Sequence, residues 1–484
     1  MQLTMFGYAL LPLCAAAILQ PTWQLYLVLL AGAFGAATPL VLGGYGLPPG
    51  VIPACLFLAY VALQFFLGAR FPAADRAWRT LEPFLLTAAY ALVTAILVPR
   101  LFAGSFTVWP QKLAPPYDIA VPLAPGSGNV TQSFYLLIDT ALVAGCALFF
   151  ARRGFDVAKV LRVYLGAGYV VVAICGWQLV HKLTGAWFPE AFLYTNPGWV
   201  IFPGQTMGIV PRINGPFSEP AALAFYLSGT IFCCTWLVLR GFRNPMATAL
   251  LPLAMIALLC STSTTGFTVL GIGIAGLAVY ALAWAPRRLA GRILLYALPV
   301  AALAIAVAVA LSTLSTRIEE SLAMVARMSL SKAEGDSFAN RTRWDIDSLA
   351  VLWPSYGLGA GWGSVRASSL IPGLLANLGI YGCALLAWFV VRVARQVQRA
   401  RRLSTDVGML GGLEGLSAAI LGQVVAATVS APAINGLDFH VLVGVLIAVA
   451  ARAEHRAGQE QAALRLRRSA APRDVPTGRS GHVA

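Results

Sequence analysis

The sequence predicts an all-α polytopic membrane protein with about 12–14 transmembrane helices. Three observations predict it. Hydrophobic residues make up 59% of the 484 positions and charged ones only 11%, with a mean hydropathy of +0.76; an ordinary water-facing domain carries roughly 25% charged residues. The apolar residues gather into runs long enough to cross a bilayer as helices. The lysines and arginines fall mostly in short links between those runs. The formal charge of +15 and pI ≈ 9.8 therefore read as topology signals and not as affinity for nucleic acid. The same composition excludes a disordered chain, and the absence of a triplet glycine repeat excludes collagen.

Along the chain, apolar runs occur at 5–19, 22–43, 50–68, 83–101, 133–151, 163–181, 220–239, 247–260, 266–285, 293–312, 373–391, 408–430 and 438–451. No charged residue precedes Arg70. The first run lacks the basic start of a secretory signal and is expected to stay as a span. Orientation follows from the basic links. Arg152, Arg153, Lys159 and Arg162 lie in one, Arg240 and Arg243 in another, and Arg287, Arg288 and Arg292 in a third. Arg392, Arg395, Arg399, Arg401 and Arg402 follow, then a tail from Arg452. These alternate with the links 102–132, 182–219, 261–265, 313–372 and 431–437, so they are assigned to the cytoplasm and the others to the exterior. Three exterior links exceed the length of about 12–15 residues beyond which a loop in a compact protein usually carries function. A transmembrane domain over 1–451, two functional exterior loops at 182–219 and 313–372, and a basic, largely disordered tail at 452–484, a solvated helix fraying into disorder, are expected.

The eight cysteines lie in or beside apolar runs, so no disulfide framework is expected. Within 313–372, Ile318, Leu322, Val325 and Ser329 follow helical spacing, with Glu319, Glu320 and Arg327 on other faces, which predicts an amphipathic surface helix. No Walker A motif is present. Gly357–Gly363 is glycine-rich but lacks the following Lys-Ser/Thr and a βαβ setting. Four histidines without cysteine–histidine spacing argue against zinc. His181 and His440, at span ends, read as polar tips reaching to the interface.

Three exterior segments carry chemistry. Arg212-Ile-Asn-Gly-Pro-Phe-Ser-Glu-Pro220 runs directly into a span. Ser218 suits a helix cap, Glu219 the positive helix end and Pro220 the first turn. Arg212 is left over, a cation at a membrane mouth that calls for a partner. The second segment holds Asn340, Arg341, Arg343 and Trp344, then Asp345 and Asp347, then the glycines to Gly361. Its loop carries nearly balanced charge, so selected arginines must project while the others pair off. The third, Ser261-Thr-Ser-Thr-Thr-Gly266, is a hydroxyl-rich turn whose side chains can cap helices.

The Arg212–Pro220 segment, the Ser261–Gly266 turn, the arginine-bearing stretch leading to Gly357–Ser364 and the span opening at Leu374–Gly382 occur in this order. Together they resemble the O-antigen polymerase/ligase superfamily of bacterial membrane glycosyltransferases, over roughly 200–390. The resemblance implies the membrane glycosyltransferase C-type fold and a site on the periplasmic side of the inner membrane. It further implies glycan substrates linked to undecaprenyl diphosphate, no metal and no cofactor. Partners implied are those lipid-linked oligosaccharides, membrane lipids, and the chain-length regulator and flippase of the same pathway. Ligases of the superfamily typically carry a histidine just after the glycine turn. Here Arg366-Ala-Ser-Ser369 stands there, and no histidine occurs from 182 to 439. That favours a polymerase of O-antigen or exopolysaccharide repeat units, with a ligase as the alternative and a transporter of lipid-linked sugars behind both.

Arginine supplies a permanent charge and a planar fork for phosphate oxygens. Arg212 and Arg341 are accordingly expected on the diphosphate, with Arg343 behind Arg341, and Glu219 on the acceptor hydroxyl as base or positioner. A helix N-terminus weakens a carboxylate as a base, and burial acts the other way. Arg366, Ser263, Thr265, Gly359, Gly361 and Trp344 are candidates for binding diphosphate or glycan. The glycines serve either amide contacts to phosphate or tight packing. Trp199, Trp344, Tyr356 and Trp362 suit either sugar stacking or interfacial anchoring.

Overall fold

In lipid the backbone must satisfy its own hydrogen bonds, so apolar runs coil into helices. The computed structural model describes residues 1–111, 119–152, 155–199, 201, 206–207, 210–283, 286–293, 295 and 336–470. Its helices are α1 (Met5–Ala16), α2 (Pro21–Gly32), α3 (Val51–Phe66), α4 (Ala74–Leu101), α5 (Ser127–Phe149), α6 (Val157–Thr184) and α7 (Glu190–Leu193). Then follow α8 (Pro220–Arg240), α9 (Pro245–Cys260), α10 (Thr264–Ala283), α11 (Asp336–Ala350), α12 (Leu370–Leu403), α13 (Val407–Ser430) and α14 (Leu437–Ala470). Among the described residues, seven of these are long and apolar enough to cross a membrane: α4, α5, α6, α8, α10, α12 and α13. Helices α1, α2, α3 and α9 are apolar but shorter. The protein is thus a largely helical, multi-pass membrane protein. Every predicted run coincides with a helix except 293–312, which lies almost wholly outside the described residues.

Four local expectations change. The run 22–43 is helical only to Gly32; residues 40–46 instead form a hairpin, Leu40–Leu42 with Tyr45–Gly46, joined on its outer edge by Gln2–Leu3. Gly43 and Gly44 turn it with positive φ, where glycine is strain-free. The stretch 336–350, expected as loop, is helix α11, and the amphipathic helix expected around Ile318–Ser329 lies outside the described residues. Helix α14 continues past Arg452 to Ala470, so the tail is helical for that length; its Ala, Glu, Gln and Arg are strong helix formers. His440 does not reach to the interface: it is buried between helices with Nδ1 3.3 Å from Asp139 on α5.

Small residues set the bundle's spacing. Gly229 and Gly422 bring α8 and α13 to backbone contact: a Cβ on Gly422 would lie 2.5 Å from the Ser228 carbonyl. Gly444 does the same for α14 against Val143 of α5. With lipid as apolar as leucine, such close approach, not hydrophobic exclusion, holds membrane helices together. The buried cluster so formed includes Leu161, Tyr164, Cys233, Leu416 and Val445.

The two ends of the bundle follow from chain direction. Helix α8 starts at Pro220 beside Glu219 and ends at Arg240; α12 starts just after Arg366 and ends beyond Arg399. The Arg212, Glu219 and Arg366 segments therefore share one end, and Arg240, Arg399 and Arg401 the other.

Candidate functional site

Segment 212–220 is fixed by a buried polar network. Gln178, a polar residue inside apolar α6, accepts from the backbone amides of Asn214 (2.9 Å) and Gly215 (2.7 Å) through Oε1. Its Nε2 donates to Asn214 Oδ1 (2.8 Å) and to the Tyr194 hydroxyl (2.9 Å), which itself donates to the Gly215 carbonyl (2.8 Å). Gly215 has φ +55, and a Cβ there would lie 2.7 Å from Cys175 Sγ. Phe217 packs on Tyr226 of α8. An immobile turn thus carries Arg212 and Glu219 at its two ends.

Glu219 itself, not Ser218, occupies the N-cap of α8, with extended backbone (φ −150, ψ 160) and no side-chain capping bond. Ser218 is therefore not the cap. Pro220 takes the first helical position as expected. The consequence is an exposed carboxylate not consumed by the helix it introduces.

Arg366 is presented from a second rigid segment. In Gly357–Gly363 every glycine has positive φ, and the loop wedges between α12, α4 and α5. A Cβ on Gly359 would lie 2.7 Å from the Ala376 carbonyl, and one on Gly361 2.5 Å from that of Thr94. Helix α12 breaks at Gly379 (φ 67, ψ −173) to admit the loop, and the Ile380 amide donates to the Gly357 carbonyl (2.8 Å). The amides of Gly359 and Ala360 go to Ser355 Oγ (3.0 Å) and the Ala376 carbonyl (2.7 Å). The glycines thus serve packing. Asn129 and Asn377 clamp the following residues, Asn129 through the Trp362 carbonyl and Ser364, Asn377 through both backbone groups of Val365. The Arg366 amide then donates to the Trp109 carbonyl (2.7 Å).

Helix α11 supplies the third element. Residues two apart on a helix point to different faces, and Arg341 and Arg343 separate accordingly. Arg343 pairs with Asp347 (3.7 Å) and lies over the Trp109 ring (5.5 Å), largely exposed. Trp109 Nε1 donates to the same Asp347 (2.9 Å). Arg341 is half-buried and, among the described residues, has no ion pair. Asp345 caps the next helix, accepting from the amides of Ser368 (2.6 Å) and Ser369 (3.2 Å) and from Ser369 Oγ (2.7 Å). Trp344 lies beneath the Arg366 guanidinium, 4.8 Å from ring centroid to Cζ, and beside Trp109.

Electrostatics link the pieces. Burial lowers the pKa of Arg212 and the nearby Glu219 charge raises it. Burial lowers that of Arg366 as well, Arg341 lowers it further, and Glu219 raises it. Glu219 thus acts on Arg212 and Arg366, and Arg341 on Arg366. Two guanidinium groups, Arg212 and Arg366, lie within electrostatic reach of the exposed Glu219, with Arg341 near Arg366, and among the described residues none of the four is in an ion pair within 4 Å. Arg212 Nε is buried with no hydrogen-bond partner among those residues. Such a group is costly unless something supplies an acceptor.

The hydroxyl turn packs beside the start of α8, Gly266 against Ala224, but its side chains are spent internally. Ser261 Oγ donates to the Leu258 carbonyl (2.6 Å), Ser263 Oγ accepts from the Gly266 amide (3.4 Å), and Thr265 Oγ1 donates to Ser430 (3.0 Å). All three are buried and spent on helix ends and packing. Trp362 donates to the Gln132 carbonyl (3.1 Å), while Trp199 and Tyr356 are exposed. Among the described residues, no three His, Cys, Asp or Glu side chains gather as a metal-ligand set. Sequence reasoning missed Gln178, Asn214, Tyr194 and Trp109. A glutamine within an apolar span was the available signal for the first.

The sequence matches no family model and no curated protein.

Proposed function

We propose that this protein is a membrane glycosyltransferase that polymerises lipid-linked polysaccharide repeat units, of O-antigen or exopolysaccharide type. The supporting observation is the placing of Arg212 and Arg366 near Glu219, with Arg341 near Arg366, on rigid turns at one end of a membrane bundle and, among the described residues, in no ion pair. Three guanidinium groups suit a diphosphate carried on a lipid such as undecaprenol, whose charge they neutralise in pairs of parallel hydrogen bonds. Trp344, stacked under Arg366, offers a flat face to a sugar ring.

In the proposed reaction an acceptor sugar hydroxyl attacks the anomeric carbon of the donor glycan. The new glycosidic bond forms as the bond from that carbon to the diphosphate oxygen breaks, and its electron pair stays on the diphosphate. Arg212, Arg341 and Arg366 stabilise that developing charge. Glu219 takes the hydroxyl proton or holds the hydroxyl in line. The site faces the periplasm in this reading, with the α14 tail in the cytoplasm.

The test is lipid-linked product analysis in a strain lacking this protein. Single capped repeat units are expected, restored to long chains by the wild-type gene. Full-length polymer accumulating unattached overturns the polymerase and leaves the ligase. Unchanged glycan chains overturn both.

A further inference from the structure

The end of the bundle opposite Arg212 holds a second basic site that the reaction does not use. A cleft of ≈ 520 Å³ lies between the start of α4, the last turns of α12 and the extension of α14. Arg76, Arg79, Arg392, Arg395 and Arg399 line it, with only Glu82 and Glu454 against them. Five positive and two negative charges leave an excess of three. Arg392 is committed to Glu82 (3.1 Å) and to the Arg79 carbonyl. Arg76, Arg79, Arg395 and Arg399 make no ion pair among the described residues, and Arg76 Nη1 is buried without a partner.

Two tryptophans lie on the helices that line this cleft. Trp78 and Trp388 are 52% and 41% exposed, beside Arg79 and beneath the Arg392 guanidinium (4.6 Å). Exposed tryptophans next to arginines mark the headgroup layer, where an indole is half in lipid and half in water. Towards the bundle's middle, α4 exposes Leu86 and Val93, a surface suited to acyl chains. A soluble anion would use only the arginines; a lipid would use the arginines, the tryptophans and the apolar strip.

We propose that this cleft binds the headgroup of an anionic phospholipid in the leaflet opposite the Arg212 site, preferring one with two phosphodiesters. Two phosphodiesters cancel two of the three excess charges, whereas a single one leaves most of the repulsion among the arginines in place. Basic clefts between membrane helices at headgroup depth are suited to such lipids. The inference is independent of the glycosyl transfer proposed above.

The test uses the full-length protein purified in zwitterionic detergent and loaded with defined lipids, read by native mass spectrometry and thermal unfolding. Diphosphatidylglycerol is expected to stay bound and to raise the melting temperature, and phosphatidylcholine to do neither. The variant Arg79→Ala/Arg395→Ala/Arg399→Ala is expected to bind the two-phosphate lipid on the order of a hundredfold more weakly. Arg79→Glu, a single exposed change that breaks no ion pair, is expected to weaken it at least about fivefold and guards against misfolding of the triple variant. Unchanged lipid retention in Arg79→Glu, or equal retention of phosphatidylcholine by the wild type, overturns the proposal. Inorganic pyrophosphate stabilising the protein as strongly as the lipid overturns its assignment to the membrane.

Discussion

Helix α8 carries an arginine cluster at each end, and the two are built on opposite principles. At its C-terminal end, Arg240 lies 3.3 Å from Glu414 of α13. Arg401 of α12 grips the same carboxylate with Nε (2.9 Å) and Nη2 (2.5 Å), and Trp236 Nε1 donates to it (2.6 Å). Glu414 is almost wholly buried and its oxygens are saturated. At the N-terminal end, Arg212 and Arg366 lie near Glu219 at longer range, Arg341 lies near Arg366, and Arg212 Nε has no hydrogen-bond partner among the described residues. The first cluster is finished and ties three helices together; in the second, no ion pair closes among the described residues. The difference teaches that in a membrane protein the number of arginines at a site says less than whether the chain supplies their counter-ions.

That contrast can be broken by mutation. Arg212→Ala and Arg366→Ala are expected to lower glycan transfer a hundred- to a thousandfold, on the order seen when a positioned charge-stabilising donor is removed. Both should leave the melting temperature near that of the wild type, because neither breaks an ion pair among the described residues. Long glycan chains from both variants would remove the site. At the other end the signature reverses. Glu414→Gln is expected to cost about 3 kcal/mol of stability, since it strands Arg401 and Arg240, while transfer per folded molecule holds. Thermal unfolding beside specific activity separates the two outcomes.

A subtler test exploits titration. Arg366→Lys is expected to restore part of the activity lost in Arg366→Ala, because an ammonium keeps the charge but not the fork. Burial and the Arg341 charge, which lower the Arg366 pKa, act on the lysine too. An ordinary lysine titrates near about 10.4. Its charged form is therefore lost at a lower pH than an ordinary lysine's, and rescue should fade in alkaline buffer while the wild type, with a guanidinium, does not follow. A pH profile of both proteins checks this. The smallest effect belongs to Arg343→Ala. Its exposed pair with Asp347 is worth under about 1 kcal/mol, and near-normal chain length is expected; a loss as large as for Arg212 would restore Arg343 to the site.

Much of this was legible in advance. Arg212, Glu219 and Arg341 stood out in the sequence, because a charge at a membrane mouth is costly in an apolar chain; the structure puts Glu219 within electrostatic reach of Arg212 and Arg366. The separation of Arg341 from Arg343 was not legible, since residues 336–350 are too polar for their helical period to show against a loop. Nor was the central place of Arg366, which depends on the glycine loop wedging at Gly379 and on the Trp109 carbonyl. The Ser218 cap failed because local propensity cannot tell which of two adjacent residues takes the extended backbone.

By itself the sequence determined the solvent of this protein, the position of nearly every helix and the short list of exterior charges. Those depend on the transfer free energy of contiguous segments, a quantity summed locally along the chain. Only the tertiary structure decided which charges are satisfied. Glu414 finds Arg401 across a helix turn-around and Arg240 from a distant span, while Arg212 finds no acceptor at all among the described residues. Pairing is a through-space property at a few ångströms, set by close helix packing at glycines, and no local sum along the chain contains it.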